Sequence, residues 1–266
     1  MDHFYKYFRW LSLDIVLGAI FFLAFLEKYF QVALTGHVYF ALGAAIWLIY
    51  TADHLIDARS VSSPSTGRHR FHLRYYSSLI VIGATVLCLS LVNIYFLEGV
   101  IIRNGALLAA CCIGYLLAVY LVRGLWVKEV LVAMVYALGV YLAPFSLSSQ
   151  GFPILPVIQL AGVAFLNLLI FSFFDQNTDK SDGFNSLVLR LGKTKITVLI
   201  WGLSAALVVT SVRGVITNGD QLQWLYLVMT AVLLVIYLSP KFFNQNERYR
   251  TLGDGVFYLP GFLLLL

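Results

Sequence analysis

The sequence predicts an all-α integral membrane protein, and three observations support that class. Of its 266 residues, 61% are hydrophobic and only 12% are charged. Soluble domains are about half apolar and about a quarter charged. The mean hydropathy is +0.86. The chain also contains repeated apolar stretches of about 20 residues each, the length that a helix needs to cross a bilayer. Lipid is therefore the expected solvent for much of the surface.

The apolar stretches predict about nine transmembrane helices in a single transmembrane domain that covers residues 1–266. The last stretch is shorter than the others and contains Asp254 and Pro260. The predicted spans are residues 11–31, 36–56, 76–97, 100–121, 129–148, 154–174, 195–215, 222–239 and 252–266.

The basic residues predict how these spans are oriented. Under this assignment, 15 of the 18 Lys and Arg residues fall on one side of the membrane, and the other side keeps Lys28, Arg103 and Arg213. Loops that carry an excess of Lys and Arg face the cytoplasm. We therefore expect a multi-pass protein of the cell (inner) membrane with a cytoplasmic N-terminus.

Two acidic stretches end the second and sixth predicted spans. The first reads YTADHLIDARS (residues 50–60) and the second FFDQNTDKSDG (residues 173–183). Each contains a pair of aspartates four positions apart, Asp53 with Asp57 and Asp175 with Asp179. On a helix such a pair lies on one face, where unpaired like charges repel.

These acids are unfavourable as purely structural features. A carboxylate near a helix C-terminus opposes the helix dipole, and an acid near hydrocarbon is costly. Two such pairs facing one cavity would form an oxygen-rich site suited to Mg²⁺, which takes one or two carboxylates and is completed by substrate phosphates. The alternative is that the acids pair with nearby Arg and Lys side chains. Basic loops follow both stretches. The second and sixth spans therefore form a weak internal repeat, in which each span ends in an aspartate pair and a basic loop.

At this point the chain resembles the UbiA superfamily of intramembrane prenyltransferases. Asp175, Asp179, Gly183 and Ser186 reproduce a D-x-x-x-D-x-x-x-G-x-x-S pattern. The stretch Tyr120-Leu121-Val122-Arg123 is similar to the family's Tyr-and-Lys loop, with Arg in the basic position, and STGRHR (residues 65–70) is similar to its basic loop. The number of helices and the placement of both motifs agree with a UbiA-type helical bundle that carries two Asp-rich motifs at its cytoplasmic face.

The first motif departs from the family pattern, which usually reads N-x-x-x-D-x-x-x-D. In the simplest register Asp53 takes the Asn position, Asp57 takes the first Asp position, and Val61 falls on the second. Valine cannot bind a metal ion. A shifted register puts Ile49 at the Asn position instead, and one ligand is missing in either register. This motif therefore offers one ligand fewer than the family's.

The resemblance implies a transferase of alkyl groups, a Mg²⁺-dependent prenyltransferase. An isoprenyl diphosphate would donate its isoprenyl group to a lipophilic, possibly aromatic, acceptor within the bilayer, and no nucleic acid is involved. The catalytic and metal-binding residues would be the four aspartates, and basic side chains would bind the diphosphate. The aspartates are Asp53, Asp57, Asp175 and Asp179, and the basic residues are Arg68, Arg70, Arg123 and Lys128.

Two other functions stay open at the level of sequence. One is a UbiA-type terpene cyclase, which would use an isoprenyl diphosphate without an acceptor. The other is a non-catalytic membrane carrier or lipid-binding protein that uses the acids as ion sites. Asn167 lies two helical turns before Asp175 and is a candidate to line the same cavity. Asp14, near the start of the first span, is a further candidate because acids inside membranes are rare.

Overall fold

A computed structural model describes residues 3–60, 66–121, 128–182 and 186–265 of the chain. All regular secondary structure in these ranges is helical, which confirms the predicted all-α class. The longer helices are α2 (Leu13–Phe30), α3 (Gly36–Ser60), α5 (Tyr76–Asn93), α6 (Gly99–Leu121), α7 (Lys128–Leu147), α8 (Ile154–Asp182), α10 (Lys193–Asn218) and α11 (Gln221–Leu238). The shorter ones are α1 (His3–Trp10), α4 (Gly67–Arg74), α9 (Leu187–Leu191), α12 (Pro240–Phe243), α13 (Arg248–Gly255) and α14 (Leu259–Leu263).

Six helices of the described ranges are long and apolar enough to cross a membrane. A helix exists at each of the first eight predicted spans, although α2 and α6 are not among these six. The six are Gly36–Arg59, Tyr76–Phe96, Lys128–Leu147, Ile154–Ser181, Lys193–Asn218 and Gln221–Leu238.

Helix α8 lies at the centre of the bundle, because its neighbours α7, α10, α11 and α13 cover most of its surface. Its side chains at Leu160, Leu166 and Ile170 are fully buried. Helix α5 is the opposite case, because Val81 and Leu89 are more than half exposed. Apolar side chains on an outer face are expected where lipid is the solvent, since hydrocarbon carries no penalty for contact with them.

Helices α3 and α8 continue past the predicted ends of their spans. We predicted ends at residues 56 and 174, but α3 runs to Ser60 and α8 to Asp182. Each aspartate pair therefore lies on a continuous helix, with both members on one face. Because Asp175 is two turns before the end of α8, the unfavourable dipole effect is weaker there than the sequence suggested.

The predicted span 252–266 is not a single helix. Helix α13 ends at Gly255, a 3₁₀ turn follows over Val256–Tyr258, and α14 begins at Leu259. Pro260 sits in the first turn of α14, where its missing N–H is tolerated because that group has no partner in a helix. This segment packs against α2.

Gly253 provides a test of the packing between α13 and α8. A Cβ atom there would lie 2.4 Å from Asn167 Oδ1 and 2.7 Å from Phe171 Cε1. We expect Gly253→Ala to lower the free energy of unfolding by about 1–3 kcal/mol, the usual cost of overpacking. The measurement is the thermal unfolding midpoint of purified protein in detergent.

The matched control is Gly255→Ala, two residues later in α13, where an added Cβ would meet no atom within 4 Å. We expect this change to leave the midpoint unaltered or to raise it slightly, because alanine favours a helix over glycine. Equal midpoints for both variants would contradict the close approach of α13 to α8.

Candidate active site

A cavity of about 800 Å³ opens at the end of the bundle that carries both aspartate pairs, which we call the motif face. It is lined by residues from α1, α2, α3, α4, α7, α8 and α13. Its volume is within the range of about 300–1,000 Å³ that is typical of small-molecule sites. Asp53 from α3 lines it together with Asp175 and Asp179 from α8. The structure therefore brings the two acidic stretches to one cavity.

The first aspartate of α8 is held by two side chains from the far end of the chain. Arg250 Nη2 donates to Asp175 Oδ2, and the Tyr249 hydroxyl donates to Asp175 Oδ1. Tyr249 also stacks on Phe174 with ring centroids 4.5 Å apart. Both carboxylate oxygens of Asp175 therefore have partners. Asp179, one turn later, forms no ion pair with any residue that the structure describes.

The aspartates of α3 share one ammonium group. Lys128 Nζ lies 2.7 Å from Asp53 Oδ1 and 3.8 Å from Asp57 Oδ2. Lys128 is the first residue of α7, so this contact joins the start of α7 to the end of α3. Of the pair, Asp53 lines the cavity, whereas Asp57 is not among the described residues that do.

Arg68 lies on α4 and faces the same cavity. The helix is capped by Thr66, whose hydroxyl accepts a hydrogen bond from the His69 backbone N–H at 3.3 Å. His72 Nδ1 donates to the Arg68 carbonyl at 2.9 Å when that nitrogen is protonated. These contacts fix the first turn of α4 and so hold the Arg68 guanidinium in position.

The charges around Arg68 come from both acidic pairs. Burial lowers the pKa of its guanidinium, and the nearby positive charge of Arg250 acts in the same direction. Asp175 and Asp57 act to raise that pKa. Arg68 therefore lies within electrostatic reach of α3 and α8 at once. Burial also acts to lower the pKa of Arg250, but Asp175, Tyr249 and Glu247 together outweigh it and the pKa is raised.

The other basic residues that we predicted for diphosphate binding have different positions. Arg70 lines the cavity. Lys128 contacts Asp53 and is not among the described cavity-lining residues. Arg123 lies outside the described residues, as does Val61 of the first motif and Gly183 of the second. Their roles stay predictions.

Aromatic rings form much of the inner wall of the cavity. Phe171 and Phe174 come from α8, Tyr136 comes from α7, and Phe257 packs edge-on to Tyr136 with centroids 5.4 Å apart. An aromatic face stabilises a positive charge placed over it. The guanidinium of Arg250, 5.2 Å from the Phe171 centroid, already uses one such face.

Deeper in the cavity lies a set of polar groups from three separate segments. Asn167 Nδ2 donates to Asp254 Oδ1 at 3.2 Å, and the buried Asp14 of α2 contributes to the negative potential at Asp254. The Tyr136 hydroxyl is buried and has no hydrogen-bond partner. Buried polar groups without partners are uncommon in folded proteins. Asn167 and Asp14 thus line the cavity, as their unusual positions in apolar spans suggested.

The donor atoms at the motif face suit a hard cation, but they do not enclose one. No group of three or more His, Cys, Asp or Glu side chains within the described ranges is arranged to hold a metal ion. An all-protein cage is therefore not formed by these residues. Mg²⁺ does not need one, because it binds through one or two carboxylates and takes its other ligands from water and phosphate. Asp175 and Asp179 provide such a pair of carboxylates on the cavity wall.

Sequence reasoning did not identify Tyr249 and Arg250 as site residues. Arg250 was counted only as a basic loop residue, yet it lies 75 positions from the aspartate that it binds. Asp254 was noted only as a weakness of the last span. No local pattern marks these residues, because their importance depends on how the broken C-terminal segment packs against α8.

Solved structures with the same fold include three from archaea. A UbiA homologue from Archaeoglobus fulgidus bound to GPP and Mg²⁺ superposes with a TM-score of 0.67 and 14% identity, over 97% of this chain and 98% of that chain. The same protein bound to DMAPP and Mg²⁺ gives 0.64 and 15%, over 97% and 98%. An apo UbiA homologue from Aeropyrum pernix K1 gives 0.65 and 14%, over 95% and 98%.

In each comparison the similarity covers nearly the whole length of this chain and of the solved chain. Neither the models of known protein families nor the sequences of curated proteins gave a match. The bundle and its cavity define a multi-pass helical membrane protein with an acidic and basic site at one end. The particular fold is that of the UbiA homologues, and this confirms the resemblance at the level of architecture.

Proposed function

We propose that this chain is a member of the UbiA superfamily that transfers an isoprenyl group from its diphosphate to a lipophilic acceptor, with Mg²⁺. One observation carries the proposal: Asp53, Asp175, Asp179 and Arg68 meet on a single cavity whose inner wall is aromatic. Such a cavity suits a ligand with an anionic head and an apolar tail. The structural neighbours solved with GPP or DMAPP and Mg²⁺ have the same fold.

The residues that would hold Mg²⁺ on the cavity wall are Asp175 and Asp179, and Asp53 of α3 lines the same cavity. Bound there, the ion would neutralise charge on the diphosphate oxygens and make the diphosphate a better leaving group. The protein's own cations act in the same direction. Arg68 and Arg70 face the cavity from α4 and are placed to donate hydrogen bonds to the diphosphate.

The chemical step breaks the bond between the allylic carbon and the diphosphate oxygen. The bonding electrons leave with the diphosphate, and the carbon becomes an allylic cation. Phe171, Phe174 and Tyr136 line the region where the isoprenyl tail would lie, and their faces would stabilise the cation. The low-dielectric wall also limits access of water, which would otherwise trap the cation as an alcohol.

The deep polar groups supply a place for the polar end of an acceptor. Asp14 and Asp254 are hydrogen-bond acceptors when ionised, and the Tyr136 hydroxyl is both donor and acceptor. An acceptor with hydroxyl groups would pair with them while its ring or chain contacts the aromatic wall. As the acceptor's nucleophilic atom bonds to the allylic carbon, the proton that it loses would pass to one of these carboxylates.

The orientation follows from the distribution of charge. Under the predicted topology, the loops on the same side as the two acidic stretches hold most of the Lys and Arg residues. By the positive-inside rule this side and the N-terminus are cytoplasmic, in the inner membrane of the cell. A soluble metal ion and a diphosphate head group would then reach the site from the cytoplasm, and the isoprenyl tail from the bilayer.

The test is an assay of purified protein in nanodiscs with geranyl diphosphate. We expect release of inorganic diphosphate that requires Mg²⁺, stops when EDTA removes the ion, and returns when Mg²⁺ is restored. Analysis of the products separates transfer from cyclisation, since a cyclase would form a hydrocarbon or alcohol with no acceptor added. No release with any isoprenyl diphosphate, together with Asp-dependent ion uptake into vesicles, would contradict the proposal and support a carrier.

A further inference from the structure

The two aspartate pairs are neutralised in different ways, although their spacing in the sequence is the same. On α3, one ammonium group contacts both members, because Lys128 Nζ is 2.7 Å from Asp53 and 3.8 Å from Asp57. On α8, the cation partner of the pair, Arg250, contacts Asp175 alone. Asp179 remains on the cavity wall with no ion pair to a described residue.

The position of Lys128 is one that a bound metal ion would otherwise take. Two carboxylates four residues apart on one helix face repel each other, and a cation between them removes that repulsion. A metal ion shared by the pair would contact one oxygen of each aspartate, which is what the ammonium does. The shorter of its two contacts, 2.7 Å, is typical of a strong, charge-assisted hydrogen bond.

The location of Lys128 on its own helix supports the same conclusion. It is the first residue of α7, where the helix dipole disfavours a positive charge. The aspartates of α3 supply compensating negative charge for the lysine. Lys128, Asp53 and Asp57 are only partly exposed, with 27%, 25% and 30% of each side chain accessible, so solvent screens the contact incompletely.

The composition of the first motif agrees with a site that has lost its metal ion. In the simplest register Val61 stands at the third ligand position of the pattern, so the motif offers two carboxylates and no third. Two carboxylates with a single ammonium and the nearby Arg68 balance in charge.

We propose that the ammonium of Lys128 replaces a metal ion at the Asp53–Asp57 pair, so that the chain binds one divalent cation with its diphosphate substrate, at Asp175 and Asp179. This inference rests on the proposed function and changes the role of Lys128 within it. Lys128 becomes a fixed counterion of the first motif and not a ligand of the diphosphate. The substrate is then held between one metal ion on α8 and the guanidinium of Arg68 on α4.

The experiment counts metal ions directly. Mn²⁺ is titrated into the purified full-length chain in nanodiscs, with the non-hydrolysable analogue geranyl S-thiolodiphosphate present, and free Mn²⁺ is measured by electron paramagnetic resonance. We expect one Mn²⁺ per chain, lost in Asp179→Asn and retained in Asp53→Asn. Thermal unfolding and size-exclusion profiles of each variant establish that it is folded.

The decisive variant is Lys128→Met, which removes the charge and keeps a side chain of similar length. We expect it to bind two Mn²⁺ per chain, because the ammonium that contacts both Asp53 and Asp57 is then absent. The matched control is Lys195→Met, an exposed lysine at the start of α10, and we expect it to keep one.

The possible results of this titration test three separate claims: the replacement of metal by lysine, the metal site on α8, and the proposed function. Two Mn²⁺ in the wild-type chain, or no second ion in Lys128→Met, would overturn the replacement of metal by lysine while leaving the proposed function intact. A single ion that disappears in Asp53→Asn and persists in Asp179→Asn would overturn the assignment of the site to α8. Failure of the wild-type chain to bind either the analogue or Mn²⁺ would instead overturn the proposed function.

Discussion

Asp179→Asn is expected to abolish turnover, with a loss of about 10³-fold in the rate of diphosphate release. The substitution keeps the shape of the side chain and removes its negative charge. Asp179 is the member of the α8 pair without an ion-pair partner among the described residues, whereas both oxygens of Asp175 are bound by Tyr249 and Arg250. It is therefore the carboxylate most available to a metal ion.

The rate is measured at saturating geranyl diphosphate and Mg²⁺ with a coupled assay for inorganic diphosphate. The matched control is Glu98→Gln, the same change of acid to amide at an exposed residue between α5 and α6. We expect wild-type release from this control. If Asp179→Asn and Glu98→Gln released diphosphate at equal rates, Asp179 would not hold the catalytic ion.

Arg250→Met is expected to lower both stability and activity. The change leaves the carboxylate of Asp175, only 12% exposed, with Tyr249 as its one hydrogen-bond partner among the residues that the structure describes. Removing one member of a buried ion pair costs about 3–5 kcal/mol. Both side chains are partly exposed, so we expect a smaller loss here, about 2 kcal/mol, with a lower thermal unfolding midpoint.

A double-mutant cycle separates this electrostatic effect from lost packing. Asp175→Asn in the Arg250→Met background removes the uncompensated charge, so we expect the double variant to be more stable than Arg250→Met alone. Arg248→Met is the matched control, because Arg248 stacks on Phe242, 4.5 Å from its ring centroid, and does not line the cavity. A double variant less stable than Arg250→Met would contradict an ion pair between Arg250 and Asp175.

These expectations differ from what the acidic stretches suggested when read alone. Metal ligation and pairing with basic side chains were competing interpretations of the four aspartates. The structure contains elements of both, because Asp53, Asp57 and Asp175 contact protein cations while Asp179 forms no ion pair with a residue in the described ranges. The two motifs are alike in sequence and differ in their environment.

The broken C-terminal segment shows where sequence-based prediction was limited. An apolar stretch with Asp254 and Pro260 was predicted as a short span, but its three pieces pack across α2 and α8. In that arrangement Asp254 reaches Asn167, and Tyr249 with Arg250 reaches Asp175. Asp254, which weakened the prediction of a span, thus lines the cavity.

The sequence by itself determined the helical class, a helix at each of the first eight predicted spans, and the four-residue spacing that puts each aspartate pair on one face where its helix continues. These properties are local, since they depend on the length of an apolar stretch and on a spacing of four residues. Only the tertiary structure decided that Asp53, Asp175 and Asp179 share a cavity, and that Lys128 and Arg250 neutralise the two pairs differently. Those contacts join residues as many as 75 positions apart, and such partners are chosen by the packing of helices, which no local pattern encodes.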